Sequence, residues 1–320
     1  MNMHISSVNN FPTAAGLASS AAGYACLAYA IGQVLEVTDV RTLSIISRMG
    51  SGSACRSLYG GFVRWLTADK SEESYAKQVV DESYWPQMRV IILVVNDAQK
   101  DTSSTAGMQL TVQTSSLFQH RIARVVPKRV EEMVAAIKEC NFHKFAEITM
   151  KDSNQFHACC QDSFPPIKYM NDISWSIVRM VHKLNDFYGA NRLAYTFDAG
   201  PNACIYLLEN EVDEFLTLVD HLYPNSSNDY RGEAVEFKDL EINDSKERVE
   251  TELDLTRTVD NGYYRGLPYR RKLKQNLLSL FDQSSVQPNL LKGIISTRIG
   301  TGPQIQPQSD SLLDDSGLPK

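Results

Sequence analysis

The sequence predicts a mixed protein of helices and strands, of either the α+β or the α/β class. Short apolar runs rich in β-branched residues, such as Arg89–Val95, predict strands. Segments with apolar residues on one helical face, such as Ile173–Phe187, predict helices. With 320 residues, of which 43% are hydrophobic and 22% charged, the chain is long enough to bury a sizeable core.

The N-terminal part should contain helices followed by strands. An alanine-rich stretch with apolar residues on every side predicts a buried helix over Ala18–Val34. Asp39 or Thr42 is placed to cap a second helix that runs towards Met49, and Ser51–Leu58 is suited to open a third. The strands predicted after these helices are Phe62–Leu66 and Arg89–Val95.

Helices dominate the chain from Ser104 onwards. The predicted helices are Pro127–Glu139, Asn141–Met150, Ile173–Phe187 and Glu211–Leu222. The predicted strands are Leu193–Phe197, Ala203–Leu208 and Leu290–Thr297. Residues 225–285 are polar and charged, which predicts a surface excursion, and the tail from Ile305 is expected to be mobile.

Composition and charge argue against several classes of function. A net charge of −6 leaves no overall basic field for a nucleic-acid backbone. No apolar run is long enough to span a bilayer, and the first residues lack a signal-peptide pattern. The six cysteines form no CxxC pair and the six histidines are scattered, so a Cys/His metal cage is not expected. We expect a cytoplasmic protein with reduced thiols and with no nucleic-acid or membrane partner.

The stretch Pro12–Ala22, PTAAGLASSAA, is the first candidate for ligand binding. Small residues let a backbone approach a ligand closely, and the following helix directs its free N–H groups and positive dipole end at that ligand. Ser19 and Ser20 add hydroxyl donors in the first turn. This pattern suits a polyphosphate, although it is neither a Walker A loop nor GxGxxG. A small-residue helix packed in a core fits the same residues equally well.

The second candidate is GSGSACRS at Gly50–Ser57, where serine hydroxyls, backbone amides and the Arg56 guanidinium suit an anion. Taken alone, this segment is better explained by a loop with a serine cap and a surface arginine. The third candidate is Asp198, which ends an apolar strand beside a glycine turn and is placed to take a hydroxyl proton. An Asx-turn is the alternative for this aspartate.

Three further segments carry weaker signals. Ser104 and Thr105 open a helix after a strand and are candidates for anion contact. The polar segment Lys151–His157 is expected to have a structural role. Cys159 and Cys160 are expected to be free thiols, because adjacent cysteines rarely satisfy disulfide geometry.

Four segments together resemble one family. PTAAGLASSAAG resembles the P-x-x-x-G-L-x-S-S-A signature of the GHMP kinase superfamily. Within that superfamily, NNFPTAAGLASSAAG at 9–23, GSGSACRSLYGGF at 50–62, MKDSNQFHA at 150–158 and YTFDAGPNA at 195–203 resemble the diphosphomevalonate decarboxylases. The likeness covers about residues 5–224 and resumes at the last predicted strand and GTGPQ.

The resemblance implies a carboxy-lyase of isoprenoid and sterol synthesis. The family converts ATP and (R)-5-diphosphomevalonate into isopentenyl diphosphate, ADP, phosphate and CO2, and it needs Mg2+. The resemblance also implies a cytoplasmic homodimer with the GHMP fold, in which a ribosomal-protein-S5-like N-terminal domain precedes a C-terminal domain of helices and antiparallel sheet. We therefore expect 1–95 to be the remainder of the first domain, 96–304 the second with a variable excursion at 225–285, and 305–320 a flexible tail.

The resemblance also implies a role for each site residue. Asp198 should orient or deprotonate the tertiary hydroxyl of the substrate, and Arg56 should bind its carboxylate. The expected substrate-binding residues are Ser51, Gly52, Ser53, Ala54, Cys55, Arg56, Ser104 and Thr105. The expected ATP-binding residues are Pro12, Ala14, Ala15, Gly16, Leu17, Ala18, Ser19 and Ser20. Mg2+ should be held through the ATP phosphates, with Ser19 or Ser20 in reach.

One departure from the family leaves alternatives open. Family members begin with strands that carry a lysine-containing K-Y-W-G-K-like segment, and this sequence contains no such segment. We therefore expect an N-terminally truncated member that lacks decarboxylase activity when expressed as written. The alternatives are a catalytically inactive interaction chain and a related GHMP kinase such as a mevalonate 3-kinase.

Overall fold

A computed structural model describes residues 3–9, 11, 17–95, 102–224, 273–314 and 316–320, and it confirms the α+β class. The chain divides into two units. The first unit comprises Met1–Pro86 together with Ile299–Lys320, and the second comprises Gln87–Arg298. None of the described helices is long and apolar enough to cross a membrane.

Among its described residues, the first unit contains two helices, three 3-10 helices and a two-stranded antiparallel sheet. Its elements are α1 (Ser19–Val34), α2 (Val40–Gly50), the 3-10 helix Gly52–Leu58, β1 (Phe62–Trp65), the 3-10 helix Ser71–Glu73, β2 (Ala76–Val80) and the 3-10 helix Gln308–Asp310. Of the two caps predicted for α2, the structure selects Asp39, whose carboxylate accepts hydrogen bonds from the backbone N–H groups of Arg41 and Thr42.

Helix α1 is less buried than its composition predicts. Only three of its residues are buried: Ala21, Ala25 and Gly32. The two alanines pack with Leu43 of α2 and with Ala54 and Leu58 of the 3-10 helix. Other apolar side chains of the helix are exposed, namely Tyr24, Leu27 and Val34. The helix expected to be buried is therefore buried on one side only, because its packing partners lie along that side.

The C-terminal segment returns to the first unit at a glycine pair. The N–H of Gly61 donates a hydrogen bond of 2.9 Å to the carbonyl of Gly300. A Cβ on Gly60 would lie 2.6 Å from the carbonyl carbon of Thr301, so only glycine allows the two backbones to approach this closely. Residues 299–320 therefore belong to the first unit, although we expected residues up to 304 in the second domain and a flexible tail beyond. The flexibility of that tail stays a prediction.

The second unit is built on a four-stranded antiparallel sheet with the order β4-β5-β3-β6. Its strands are β3 (Met88–Val94), β4 (Leu193–Phe197), β5 (Ala203–Leu208) and β6 (Gly293–Arg298). Its helices are α3 (Ser104–Thr114), α4 (Ser116–His120), α5 (Val126–Lys138), α6 (Phe142–Asp162), α7 (Asp172–Tyr188), α8 (Val212–Leu222) and α9 (Gln275–Leu278), with a π-helical turn at Arg121–Val125 and 3-10 turns at Glu209–Glu211 and Gln283–Ser285.

Two features of the second unit differ from the sequence-based expectations. β3 pairs with both β5 and β6, so the unit begins at Gln87 rather than at residue 96. The helix predicted over Asn141–Met150 continues as α6 to Asp162 and includes the polar segment Lys151–His157. Its polar side chains find partners on neighbouring elements, so they do not end the helix. Most of the predicted excursion, residues 225–272, lies outside the described residues.

Candidate functional site

The beginning of α1 fits an anion-binding role. Ala18 precedes the helix in the left-handed conformation, with φ 57° and ψ 33°. Ala18 itself makes no side-chain cap hydrogen bond, and the first turn of α1 contains no acidic residue. The positive end of the helix dipole is therefore not offset by a carboxylate in the first turn. Leu17, Ser19 and Ser20 are described here, whereas Pro12, Ala14, Ala15 and Gly16 lie outside the described residues.

The structure joins this helix start to the second candidate segment. The hydroxyl oxygens of Ser20 and Ser51 lie 3.2 Å apart and share a hydrogen bond. Ser51 is flanked by two glycines that are needed for close packing. A Cβ on Gly50 would overlap the ring of Tyr24, and one on Gly52 would lie 2.9 Å from the Trp65 ring. Two aromatic rings therefore hold the segment against the first turn of α1.

The segment Gly52–Arg56 divides into accessible and buried residues. Gly52 and Ser53 are half-buried and Arg56 is exposed, and the Arg56 guanidinium makes no hydrogen bond or ion pair with a described residue. Ala54 and Cys55 are fully buried, and burial raises the pKa of the Cys55 thiol. Their side chains anchor the 3-10 helix in the core. The expected substrate contacts of these two residues are therefore limited to their backbone.

Asp198 stands immediately after β4, where the chain turns towards β5. It is exposed, and its carboxylate forms no hydrogen bond or ion pair with a described residue. The hydrogen bond of the turn is made by the backbone instead, from the Gly200 N–H to the Asp198 carbonyl at 2.8 Å. The Asx-turn alternative is thus not observed, and the carboxylate remains available to a ligand.

Hydrogen bonds from other elements hold the backbone on both sides of Asp198. The Phe197 N–H donates to Ser153 Oγ at 3.1 Å, and the Phe197 carbonyl lies 3.2 Å from His157 Nε2. Beyond the turn, the Ser174 hydroxyl donates to the Pro201 carbonyl at 2.9 Å. These bonds place the carboxylate on a rigid part of the scaffold.

Three titratable groups that interact with Asp198, namely His157, Cys160 and Tyr169, carry no positive charge at neutral pH. Burial raises the pKa of Cys160 to about 11 and that of Tyr169 to about 12, and the negative charge of Asp198 adds to both shifts. Burial lowers the pKa of His157, which keeps its imidazole neutral. These three neighbours therefore do not offset the charge of the carboxylate.

The start of α3 belongs to the same unit and is linked to the Asp198 turn. Ser104 is half-buried and Thr105 is exposed. Tyr169 donates from its hydroxyl to the carbonyl of Ser103 at 3.4 Å, and its ring packs in a cluster with Ala199. A single tyrosine thus connects the helix start to the residue after Asp198. Ser104 and Thr105 remain predicted anion contacts.

The polar segment Lys151–His157 of α6, for which the sequence predicts a structural role, makes specific contacts with β4. Ser153 and His157 reach the end of β4, and Asn154 accepts a hydrogen bond of 3.0 Å from the Tyr195 hydroxyl. The spacing of four between Ser153 and His157, which places both on one helical face, was the available signal. Among the described residues, no group of three or more His, Cys, Asp or Glu side chains is arranged to hold a metal.

Comparisons with known proteins point in one direction. The family model for the mevalonate 5-diphosphate decarboxylase C-terminal domain matches residues 90–306. The family model for the diphosphomevalonate decarboxylase-like N-terminal domain matches residues 1–76. The chain is similar to the diphosphomevalonate decarboxylase of Danio rerio, with 46% identity over 322 residues that cover 99% of this chain and 72% of the relative.

Solved structures agree with these matches. A crystal structure of a mevalonate 5-diphosphate decarboxylase is 42% identical, with a TM-score of 0.72, and the match covers 97% of this chain and 72% of that chain. A structure described as MDDEF in complex with MVAPP, AMPPCP and magnesium is 33% identical, with a TM-score of 0.60, and the match covers 65% of this chain and 63% of that chain.

Proposed function

This chain belongs to the diphosphomevalonate decarboxylase family of enzymes with the GHMP kinase fold, and we propose that Asp198 is its general base. The family reaction is the ATP-dependent decarboxylation of (R)-5-diphosphomevalonate to isopentenyl diphosphate, with release of ADP, phosphate and CO2. The observation that carries the proposal is the exposed Asp198 carboxylate, which has no protein partner among the described residues. It follows Phe197, whose backbone N–H and carbonyl are hydrogen-bonded to Ser153 and His157.

Asp198 accepts the proton of the substrate's tertiary hydroxyl while the hydroxyl oxygen attacks the γ-phosphorus of ATP. The oxygen–phosphorus bond forms as the bond to ADP breaks, and the tertiary alcohol becomes a phosphate ester. The neighbouring groups support this role, because none of His157, Cys160 and Tyr169 neutralises the carboxylate.

Decarboxylation follows from the loss of that phosphate. Its departure with the electron pair of the carbon–oxygen bond leaves positive charge on the tertiary carbon. The carbon–carboxylate bond then breaks, CO2 leaves, and the electron pair of that bond forms the double bond of isopentenyl diphosphate. Arg56 orients the carboxylate until this step. Its planar guanidinium suits bidentate binding, and no carboxylate of a described residue competes for it.

The serine segments bind phosphate. Ser51, Gly52 and Ser53 bind the substrate and its diphosphate, together with Ser104 and Thr105. The segment Pro12–Ser20 binds the ATP phosphates, and the absence of acidic residues from the first turn of α1 supports this role. Magnesium, bound through the ATP phosphates beside the hydroxyls of Ser19 and Ser20, supplies positive charge for the transferred phosphoryl group. The solved neighbour described with AMPPCP and magnesium supports this pair of ligands.

The proposal includes the state and location of the protein. We place it in the cytoplasm as a homodimer that binds neither nucleic acid nor membrane. The net charge of −6 argues against nucleic-acid binding, and the free cysteines fit a reducing compartment. Light scattering tests the dimer, and a monomer at micromolar concentration would contradict it.

One assay distinguishes the proposed activity from its alternatives. The protein that carries this chain is incubated with ATP, Mg2+ and carboxyl-labelled (R)-5-diphosphomevalonate, and ADP, phosphate and CO2 are quantified. We expect the three products in equal amounts, and none above background in Asp198→Asn. ADP without CO2 would indicate a kinase, and the absence of all three products would indicate an interaction chain.

A further inference from the structure

The outer edge of β4 is closed by side chains at the residue that precedes Asp198. β4 is the terminal strand of its sheet, so the backbone groups that face away from β5 need other partners. At Phe197 both groups are satisfied by α6, through Ser153 Oγ and His157 Nε2. We infer that Ser153 and His157 are positioning residues of the decarboxylase, which act by fixing the Phe197 peptide and thereby the place of Asp198.

The geometry of α6 suits this role. Ser153 and His157 are four residues apart and therefore lie on one face of the helix, one turn from each other. Both are buried. The imidazole is held by two aromatic rings, Phe156 at 4.9 Å and Phe197 at 6.3 Å between ring centroids, both edge to face. The ring has little freedom to leave the carbonyl that it contacts.

The hydrogen bond also fixes the tautomer of His157. A backbone carbonyl only accepts hydrogen bonds, so Nε2 must carry the proton and donate it to Phe197. Burial favours the neutral ring. A neutral imidazole holds the strand without forming an ion pair with Asp198, and the carboxylate therefore stays available for the substrate proton.

The opposite end of the same edge supplies a matched control. Asn185 of α7 accepts the Leu193 N–H at 3.0 Å and donates to the Leu193 carbonyl at 2.9 Å. It is buried and closes the β4 edge in the same way as the α6 pair. Leu193 is four residues from Phe197, which is roughly 13 Å along an extended strand. Loss of Asn185 therefore weakens the strand without releasing the peptide next to Asp198.

The test compares His157→Leu, His157→Gln, Ser153→Ala and Asn185→Leu in steady-state assays well below the melting temperature of each variant. The inference rests on the proposed decarboxylase activity. We expect kcat to fall on the order of 10–100-fold in His157→Leu and Ser153→Ala, with KM values changed less than about twofold, because small displacements of a reacting group cost this much. His157→Gln retains an N–H donor and should recover most of kcat. Asn185→Leu should lower the melting temperature and keep kcat within about twofold of the parent.

Hydrogen–deuterium exchange on the same variants supplies a readout that needs no turnover. We expect faster exchange at residues 197–200 in His157→Leu and Ser153→Ala, with the exchange of Ala203–Leu208 unchanged. An equal loss of kcat in Asn185→Leu, or parental kcat and exchange in His157→Leu, would overturn the inference.

The inference and the proposed function fail in different ways. Turnover that is lost in Asp198→Asn but parental in His157→Leu would remove the positioning role and leave the decarboxylase standing. A parent protein without turnover would remove the proposed function, and the exchange data would then decide whether His157 and Ser153 anchor the Asp198 turn.

Discussion

Replacing Asp152 of α6 by asparagine should destabilise the second unit through a shared ion pair. Arg121 binds the Asp152 carboxylate with two hydrogen bonds, of 2.7 and 2.8 Å, and Arg129 adds a third of 3.0 Å. Both guanidinium groups also donate to the Gln155 side-chain oxygen at 2.9 Å. Asparagine keeps the shape of the side chain but leaves two adjacent arginines without their counter-charge.

The loss of unfolding free energy in Asp152→Asn depends on how exposed the three charged side chains are. The side chains of Arg121 and Arg129 are only 12% and 21% exposed, whereas that of Asp152 is 40% exposed. Breaking a buried pair costs about 3–5 kcal/mol and breaking a surface pair below about 1 kcal/mol. For this half-buried group we expect the free energy of unfolding of Asp152→Asn to fall by about 2 kcal/mol.

The contribution of the Asp152 ion pairs to the free energy of unfolding should also depend on pH. Burial pushes the pKa of Asp152 upwards, but the hydrogen bonds and charges of Arg121 and Arg129 outweigh burial and hold it below the ordinary 3.8. The stabilisation is therefore fully present above the unfolded-state pKa, and it is lost as the pH falls from about 4 through the lower folded-state pKa. Parent and variant should converge in stability in that acidic range.

Urea unfolding at pH 7 measures this effect, and Glu147→Gln on the same helix is the control. Glu147 pairs with Lys144 and Lys151, whose side chains are 45% and 62% exposed, so its loss should cost below about 0.5 kcal/mol. The effect of Asp152→Asn should persist in 0.5 M salt, because a half-buried pair is weakly screened. A loss no larger than that of Glu147→Gln would refute the reasoning.

Three further predictions concern the candidate site. Asp198→Asn should lower kcat by at least the ~10²–10⁴-fold that a general base contributes, with ATP affinity unchanged in calorimetry, and near-parental turnover would remove the proposed role. Arg56→Lys should raise KM for the substrate and lower kcat, because lysine lacks the planar guanidinium group. A change in ATP affinity alone would make Arg56 a nucleotide contact. Gly50→Ala should lower the free energy of unfolding by about 1–3 kcal/mol through overlap with the Tyr24 ring, and Tyr24→Ala in the same chain should restore part of it. If the double variant is no more stable than Gly50→Ala, the overlap is not the cause.

At the candidate site, residue patterns predicted residue types but not their accessibility. The sequence predicted which residue types belong to the site, because phosphate binding needs small residues and hydroxyls beside a helix start, and proton transfer needs a carboxylate on a firm support. It did not predict accessibility within Gly52–Arg56. Ala54 and Cys55 are buried while Arg56 is exposed, and this division depends on packing against α1 and α2.

Local signals determined most of the secondary structure. The Asp39 cap, the apolar periodicity of α7 and the β-branched run of β3 act through neighbouring residues, so they are readable without knowledge of the fold. The C-terminal end of α6 could not be predicted from such local signals. The partners that satisfy its polar side chains, such as Arg121 and Phe197, are more than 30 residues away along the chain.

The sequence by itself determined the family, the α+β class and the chemistry available at Asp198 and Arg56, because these depend on residue identity and on spacing along the chain. Only the tertiary structure decided that β3 joins the second unit, which residues of α1 are buried, and that α6 closes the edge of β4 beside Asp198. Each of these depends on which distant segments satisfy a strand edge or cover an apolar face. Such pairings are set by the free energy of the whole fold, and no local window of sequence contains them.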